Sequence, residues 1–276
     1  MADTHDLSLP APPGASGSVA LRHRWLTPLL WRTLPWLALL ALWVTIRLIS
    51  DQYASLIPAP RAVFTRAQTM LADGSLATHW LASTLRVSAG VAIGVALAVP
   101  VGFALGWFAT TRQVLTPVLN FFRALPPIAL IPLMIVYVGI GDAAKLLVLV
   151  YAAFFTAVVV MYEGISRTPP IYIQVARTLG ASEGELFHKV ILPLALPHVL
   201  TSARVALGVG WMTLVASELI SAQNGLGSMI QIAASYFQLD IIYLGLICIG
   251  LTAMFMDFAL VSLSSRLVGW QEKVKA

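Results

Sequence analysis

Ser166-Arg167-Thr168-Pro169-Pro170 opens a segment that continues Ile171-Tyr172-Ile173-Gln174-Val175-Ala176-Arg177-Thr178-Leu179, then Gly180-Ala181-Ser182, then 183–191 and Leu192-Pro193. Pro169 and Pro170 suit the first turn of a helix, where the missing N–H is not needed. Gly180 suits its end, where the chain must take a left-handed residue. Ser182, with Glu185 three residues on, forms the pattern of a capping box. That pattern predicts a second helix over 183–191, stopping before Pro193. The reading is helix, sharp glycine turn, helix, with an exposed turn shaped to dock on another surface.

On either side of this loop the chain is strongly apolar. Of its 276 residues, 59% are hydrophobic and 11% charged, against about 45–50% and about 25% in soluble domains. So few charges cannot cover the surface of a soluble globule, and the same composition excludes a disordered chain. The class implied is a polytopic membrane protein. Six stretches approach the roughly 20 apolar residues that cross a bilayer: 34–49, 87–109, 114–140, 143–165, 197–221 and 241–265. The expected organisation is a cytoplasmic tail at 1–33, rich at its start in Ala, Pro, Gly and Ser, then a six-helix membrane domain at 34–270. Within that domain 166–197 is a cytoplasmic loop, and a short tail follows at 271–276. The first apolar stretch also has features of a signal peptide, but the long segment before it favours an uncleaved span. Between the first two spans, Val63, Ala67, Met70 and Leu71 recur at helical spacing behind Pro58 and Pro60, which predicts a short helix on the outer side.

Basic residues set the orientation. Of the 17 Lys and Arg, twelve fall on one side if the N-terminus is inside: Arg22, Arg24, Arg32, Arg112, Arg123, Arg167, Arg177, Lys189, Arg204, Arg266, Lys273 and Lys275. Arg47, Arg61, Arg66, Arg86 and Lys145 fall on the other. The positive-inside bias then puts both termini in the cytoplasm. The net charge of +5 is explained by this asymmetry and does not call for a nucleic-acid partner. One cysteine, Cys248, permits neither an internal disulfide nor a cysteine metal cluster.

The loop resembles the EAA loop of ABC importer permeases, which reads Glu-Ala-Ala, three residues, Gly, nine residues, Ile, one residue, Leu-Pro. Here Gln174-Val175-Ala176 precedes Gly180, and Val190-Ile191-Leu192-Pro193 follows at the same spacing. Gln174 and Val175 depart from the pattern. Further stretches resemble the nitrate, sulfonate and taurine branch: Phe122-Arg123-Ala124-Leu125-Pro126-Pro127, Gly139-Ile140-Gly141, Ala216-Ser217-Glu218-Leu219-Ile220 and Asn224-Gly225-Leu226-Gly227. The resemblance implies an all-α membrane protein with the type I importer permease fold, six spans and a cytoplasmic coupling helix. It implies a permease homodimer in membrane lipid, two ABC ATPase subunits carrying ATP and Mg, and a periplasmic or extracellular solute-binding protein. The location implied is the bacterial inner membrane. The solute implied is a small anion such as a sulfonate, taurine or nitrate. The ATPase contact is expected at Gln174, Val175, Ala176, Arg177, Gly180, Ala181, Ser182, Glu185, Leu192 and Pro193.

The residues themselves mark a candidate path. Ionisable groups inside a span are costly and default to a functional reading. Arg204, Trp211 and Glu218 recur at intervals of seven on one helical stripe, with Gly208 beside them. Two readings stand for Glu218: it lines the solute path, or it pairs with a basic neighbour and fixes packing near the outer surface. Arg123 before Pro126 and Pro127 reads either as a kinked, cationic gate or as a side chain reaching the cytoplasmic headgroups. Asp257 is expected to pair with Arg266 or a headgroup. Gly90, Gly94, Gly102 and Gly106 suit close helix packing. No phosphate-binding Gly-x-x-x-x-Gly-Lys-Ser/Thr loop and no His/carboxylate zinc spacing occurs. The chain therefore reads as no enzyme, with its energy source on another chain. A secondary transporter would show internal repeats in matching halves, and none is evident.

Overall fold

The computed structural model describes residues 20–49, 56–221 and 223–268, with side chains from residue 33 onward except at 221. All secondary structure among the described residues is helical. The helices are α1 (Ala20–Ile49), α2 (Pro60–Ala72), α3 (Ser75–Trp107), α4 (Ala109–Ala124), α5 (Ile131–Val138), α6 (Asp142–Ser166), α7 (Pro170–Thr178), the single turn α8 (Glu183–Glu185), α9 (Leu192–Ser221), α10 (Leu226–Ser235) and α11 (Leu239–Leu267).

Two compact units are present, residues 1–59 and 60–276. In the first, α1 begins at Ala20, inside the segment assigned to the tail. Residues 1–19, like the C-terminal tail at 271–276, lie outside the described residues. The end of α1 is tied to the chain that follows it. Trp43 Nε1 donates to the Pro58 carbonyl at 3.2 Å and Arg47 Nη1 to the Ile57 carbonyl at 2.8 Å. Its apolar side chains, Leu34, Trp36, Leu37 and Leu39 among them, are exposed.

In the second unit α6 is the central helix, with half of its apolar window buried, against 17% for α11. The glycines of α3 explain why. Gly90, Gly94, Gly102 and Gly106 lie against Leu149, Ala153, Met161 and Ile165 of α6, in that order, so the two helices run parallel. A methyl group at any of the four would fall 2.4–2.8 Å from a neighbouring atom. Without a hydrophobic force between helices in lipid, such close backbone approach is what holds them.

Four described helices are long and apolar enough to cross a membrane: α3, α6, α11 and the continuous helix Glu183–Ile220. The bent pair α4 and α5 makes a fifth if it is counted as one span, and the first expected span corresponds to the shorter apolar helix Thr33–Ile49. The span expected at 114–140 is therefore two helices, bent by 82°. Pro126 and Pro127 remove two successive N–H donors, and each disfavours helical geometry in the residue before it. Leu125 and Pro126 are accordingly extended, at ψ 121° and 126°.

A second difference lies after the loop. The helix expected to stop before Pro193 continues through Pro193 and Pro197 to Ser221. Residues Leu186–Ile191 form a π-helical stretch, and Leu192 N–H reaches back to Phe187 O. This wider turn carries the chain past Pro193, which cannot donate and whose ring would crowd the carbonyl four residues earlier in an α-helix. The stretch is held by a cluster of Phe103, Met161, Ile165, Leu186, Ile191 and Ala195, which joins α3, α6 and α9 at the end where the loop emerges.

Candidate functional site

Two sites stand at opposite ends of the bundle. The first is the turn between α7 and α8. Gly180 has φ +80°, as its sequence position predicts. Its N–H donates to Arg177 O at 2.9 Å and that of Ala181 to Ala176 O at 3.1 Å. This pair of bonds is the Schellman arrangement, which closes a helix through a left-handed residue. Ser182 then caps α8: Glu185 N donates to Ser182 Oγ at 3.3 Å, and Ser182 N to Glu185 Oε2 at 3.2 Å. The expected capping box is present. Arg177 Nη2 reaches Glu183 Oε1 at 2.9 Å across the turn. Between them these bonds stiffen a turn that has almost no core of its own.

The turn has two unlike sides. Ile173 and Ala176 pack against the cluster that holds the π-helical stretch. Ile171, Tyr172, Val175 and Leu179 are exposed, Leu179 to 82%. Gln174, Arg177, Ser182 and Glu185 are also exposed, Ala181 and Pro193 half-buried, and Leu192 exposed. The arrangement presents an apolar patch rimmed by polar groups on a rigid turn.

The second site is built around Glu218, which is 1% exposed. Ser83 Oγ donates to both of its carboxylate oxygens at 2.8 Å, Arg86 Nη1 to Oε1 at 2.8 Å, and Gly227 N to Oε2 at 2.9 Å. Ser83 Oγ accepts in turn from Leu226 N at 2.8 Å. Arg86 extends the network to the Asn224 carbonyl at 2.6 Å and to Asp142. His79 Nδ1 accepts from Gly225 N at 3.1 Å. The carboxylate thus pins the turn before α10 onto α3 and α9. A methyl group at Gly225, which has φ +144°, would lie 2.3 Å from Glu218 Oε1, and one at Gly227 2.8 Å from Glu218 Cβ. The two sequence stretches around Glu218 and Asn224 are one structural unit, and their glycines let the backbone reach the carboxylate.

The Arg204–Trp211–Glu218 stripe does not form a single face. Trp211 is buried, with no hydrogen-bond partner for Nε1 among the described residues. Arg204 is exposed to 43% and pairs bidentately with Asp257, Nε to Oδ1 at 2.8 Å and Nη2 to Oδ2 at 2.9 Å. Seven residues fall short of two full helical turns, so such a stripe drifts by about 20° per repeat. Glu218 is covered by Ser83 and Arg86 of α3 and by Gly227 of α10, whereas Arg204 is open and faces Asp257 of α11. Asp257 therefore pairs with Arg204, and not with Arg266 or a headgroup as expected. Arg123 and Pro126 are exposed and Pro127 half-buried at the bend. There Tyr151 Oη donates to the Phe122 carbonyl, and Phe122 stacks on Phe155 with ring centroids 5.9 Å apart. Ser83, Arg86, His79 and Asp142 escaped the sequence reading. One signal was available: a Glu inside a span requires a cation, and Arg86 and Lys145 are the basic residues at the corresponding helix ends.

A profile of the family described as "Binding-protein-dependent transport system inner membrane component" matches residues 90–271. The chain belongs to this family. Among relatives, a "Probable ABC transporter permease protein" of Brucella abortus (strain 2308) is 42% identical over 226 residues, covering 82% of this chain and 90% of that protein. The "Taurine transport system permease protein" of Escherichia coli (strain K12) is 36% identical over 245 residues, covering 86% and 88%. Among solved structures, the inward-facing MetNI methionine ABC transporter matches with a TM-score of 0.59 at 21% identity, covering 70% of this chain and 95% of that one. That likeness is one of fold. The permease is accordingly a non-enzymatic, multi-pass inner-membrane subunit of an ABC importer. Such a subunit works with a separate ATPase chain and a solute-binding protein.

Proposed function

We propose that the turn at Gly180 is the element through which ATP hydrolysis on the partner chain drives this permease. The observation that carries this reading is the turn itself: a Schellman close and a capping box hold an apolar patch rigidly outward. Gln174, Val175, Ala176, Arg177, Gly180, Ala181, Ser182 and Glu185 form the contact, while Leu192 and Pro193 lead its motion into α9. Gln174 replaces the Glu of the family pattern, so the contact here relies on apolar packing and on Arg177. Two permeases pair in membrane lipid, each turn seated on one ATPase bound to ATP and Mg. Closure of the ATPases draws the turns together and biases the bundle between inward-open and outward-open states. Both termini and the turn face the cytoplasm, and the loop at Gly74 faces outward. Arg123, Pro126 and Pro127 supply the bend that moves along the path. Glu218 serves as the fixed point of the outer half, because its carboxylate is fully engaged.

The solute is a small anionic or zwitterionic oxyacid of the sulfonate class. Its support is the likeness to the taurine permease and to an aliphatic sulfonates permease of Bacillus subtilis (strain 168), 29% identical over 250 residues. Reconstitution with the ATPase and binding protein, followed by a screen of taurine, alkanesulfonates, nitrate and bicarbonate for stimulated ATP hydrolysis, tests it. Stimulation by a sulfonate is the expected result. Stimulation by none of the anions, or by nitrate or bicarbonate alone, would contradict it.

A further inference from the structure

A cavity of about 250 Å3 opens beside Glu218, walled by Arg86, Asp142, Lys145, Gln223 and Asn224. It lies where α6 begins and α9 ends, the end of the bundle opposite the Gly180 turn. Two of its walls are cations, a buried Lys145 with its side chain 4% exposed and a half-buried Arg86 at 12%. Arg86 already reaches three acceptors, on Glu218, Asn224 and Asp142. Lys145 reaches fewer. An ammonium has three N–H donors, and its hydrogen bond among the described residues is one, to Asp142 Oδ1 at 3.2 Å. The same oxygen accepts from Arg86 Nε at 3.0 Å. One carboxylate oxygen therefore stands between both cations, on a side chain that is itself 68% exposed.

The charges facing the cavity are Arg86, Lys145 and Asp142, a balance of one positive charge. Glu218 lies behind, turned to Ser83 and Gly227. A desolvated ammonium with unused donors is unfavourable until an acceptor reaches it. The volume lies below the roughly 300–1,000 Å3 of pockets for drug-sized ligands, so it suits the head of a small solute. We propose that this cavity is an entry subsite for the oxyanion head of the transported solute. The incoming anion takes Lys145 and part of Arg86 from Asp142, whose carboxylate swings into water. Asp142 is the resident acceptor that holds the cations when no solute is present. The charge-assisted bonds to the anion replace those it gives up. This inference rests on the small-anion reading above.

The test uses the full-length permease assembled with its ATPase in lipid nanodiscs, without binding protein, titrated with methanesulfonate. Wild type is expected to bind weakly and saturably. Asp142→Asn is expected to bind about tenfold tighter, since the competing carboxylate is gone, and Lys145→Gln at least tenfold weaker. A gain of affinity in Asp142→Asn cannot come from misfolding, since a misfolded site would bind less, and assembly with the ATPase is scored for both. Unchanged affinity in Asp142→Asn, or no saturable binding in either wild type or that variant, overturns the proposal. Sulfonate uptake by the complete transporter separates the two layers. Uptake without direct binding overturns the subsite alone. Lysine-dependent methanesulfonate binding without any sulfonate uptake supports the subsite and removes the substrate reading.

Discussion

The Gly180 turn is held by groups close along the chain, three residues apart in the capping box and six in the Arg177–Glu183 pair. The Glu218 site gathers Ser83 from 135 residues away and Arg86 from 132. The first is exposed and local, the second buried and assembled from several helices. Damage to the first should therefore remain where it is made. Damage to the second should spread, because a buried charge that loses its partner destabilises everything packed around it. In the proposed function the stiff turn moves as a unit while the buried site stays fixed.

The sharpest way to break this comparison is Glu218→Ala. It removes the buried carboxylate from Arg86, which keeps only the exposed Asp142 as an ionic partner, and breaking such a pair costs up to about 3–5 kcal/mol. Folded yield and Tm in detergent should fall together, with transport per folded molecule unchanged, and adding Arg86→Met should restore part of the loss. A Glu218→Ala protein of normal Tm that no longer transports would instead make Glu218 part of the path. Gly225→Ala comes next. Its Cβ would meet Glu218 Oε1 at 2.3 Å with φ at +144°, and strained backbone alone costs about 1–3 kcal/mol. Its Tm should drop clearly, while Gly184→Ala, with nothing within 4 Å, should stay within about 0.5 kcal/mol of wild type.

At the other end the effects shrink. Ser182→Ala removes a helix cap, about 1 kcal/mol, and that loss is confined to the turn. Hydrogen exchange should quicken at the amides after Ser182, with Tm unmoved. Arg177→Ala breaks a pair whose side chains are 57% and 68% exposed, a contribution of below about 1 kcal/mol. No change in Tm is expected, and a fall would show that the turn is coupled to the core.

This difference also decides what could be read from the sequence. Gly180, Ser182 and Glu185 reveal the exposed turn because capping is a rule about neighbours in the chain. The glycines of α3 announce a close helix contact by their spacing, although not that α6 is the partner. Glu218 stands out as a charge in an apolar stretch, but its partners lie on another helix and no local rule connects them. The stripe through Arg204 fails because it assumes one environment along the whole of α9. The stop before Pro193 fails because the sequence gives no sign of a π-helical stretch, which depends on packing of Leu186 and Ile191 against α3 and α6.

The most direct test of the coupling role is Gly180→Val, assayed in proteoliposomes with the ATPase and binding protein. A β-branched residue at φ +80° is strongly disfavoured, and the strain falls on a turn with few buried neighbours. The variant should insert with a Tm close to that of wild type. Uptake and binding-protein-stimulated ATP hydrolysis should both fall at least tenfold. Wild-type values for both activities in the folded variant would contradict the account.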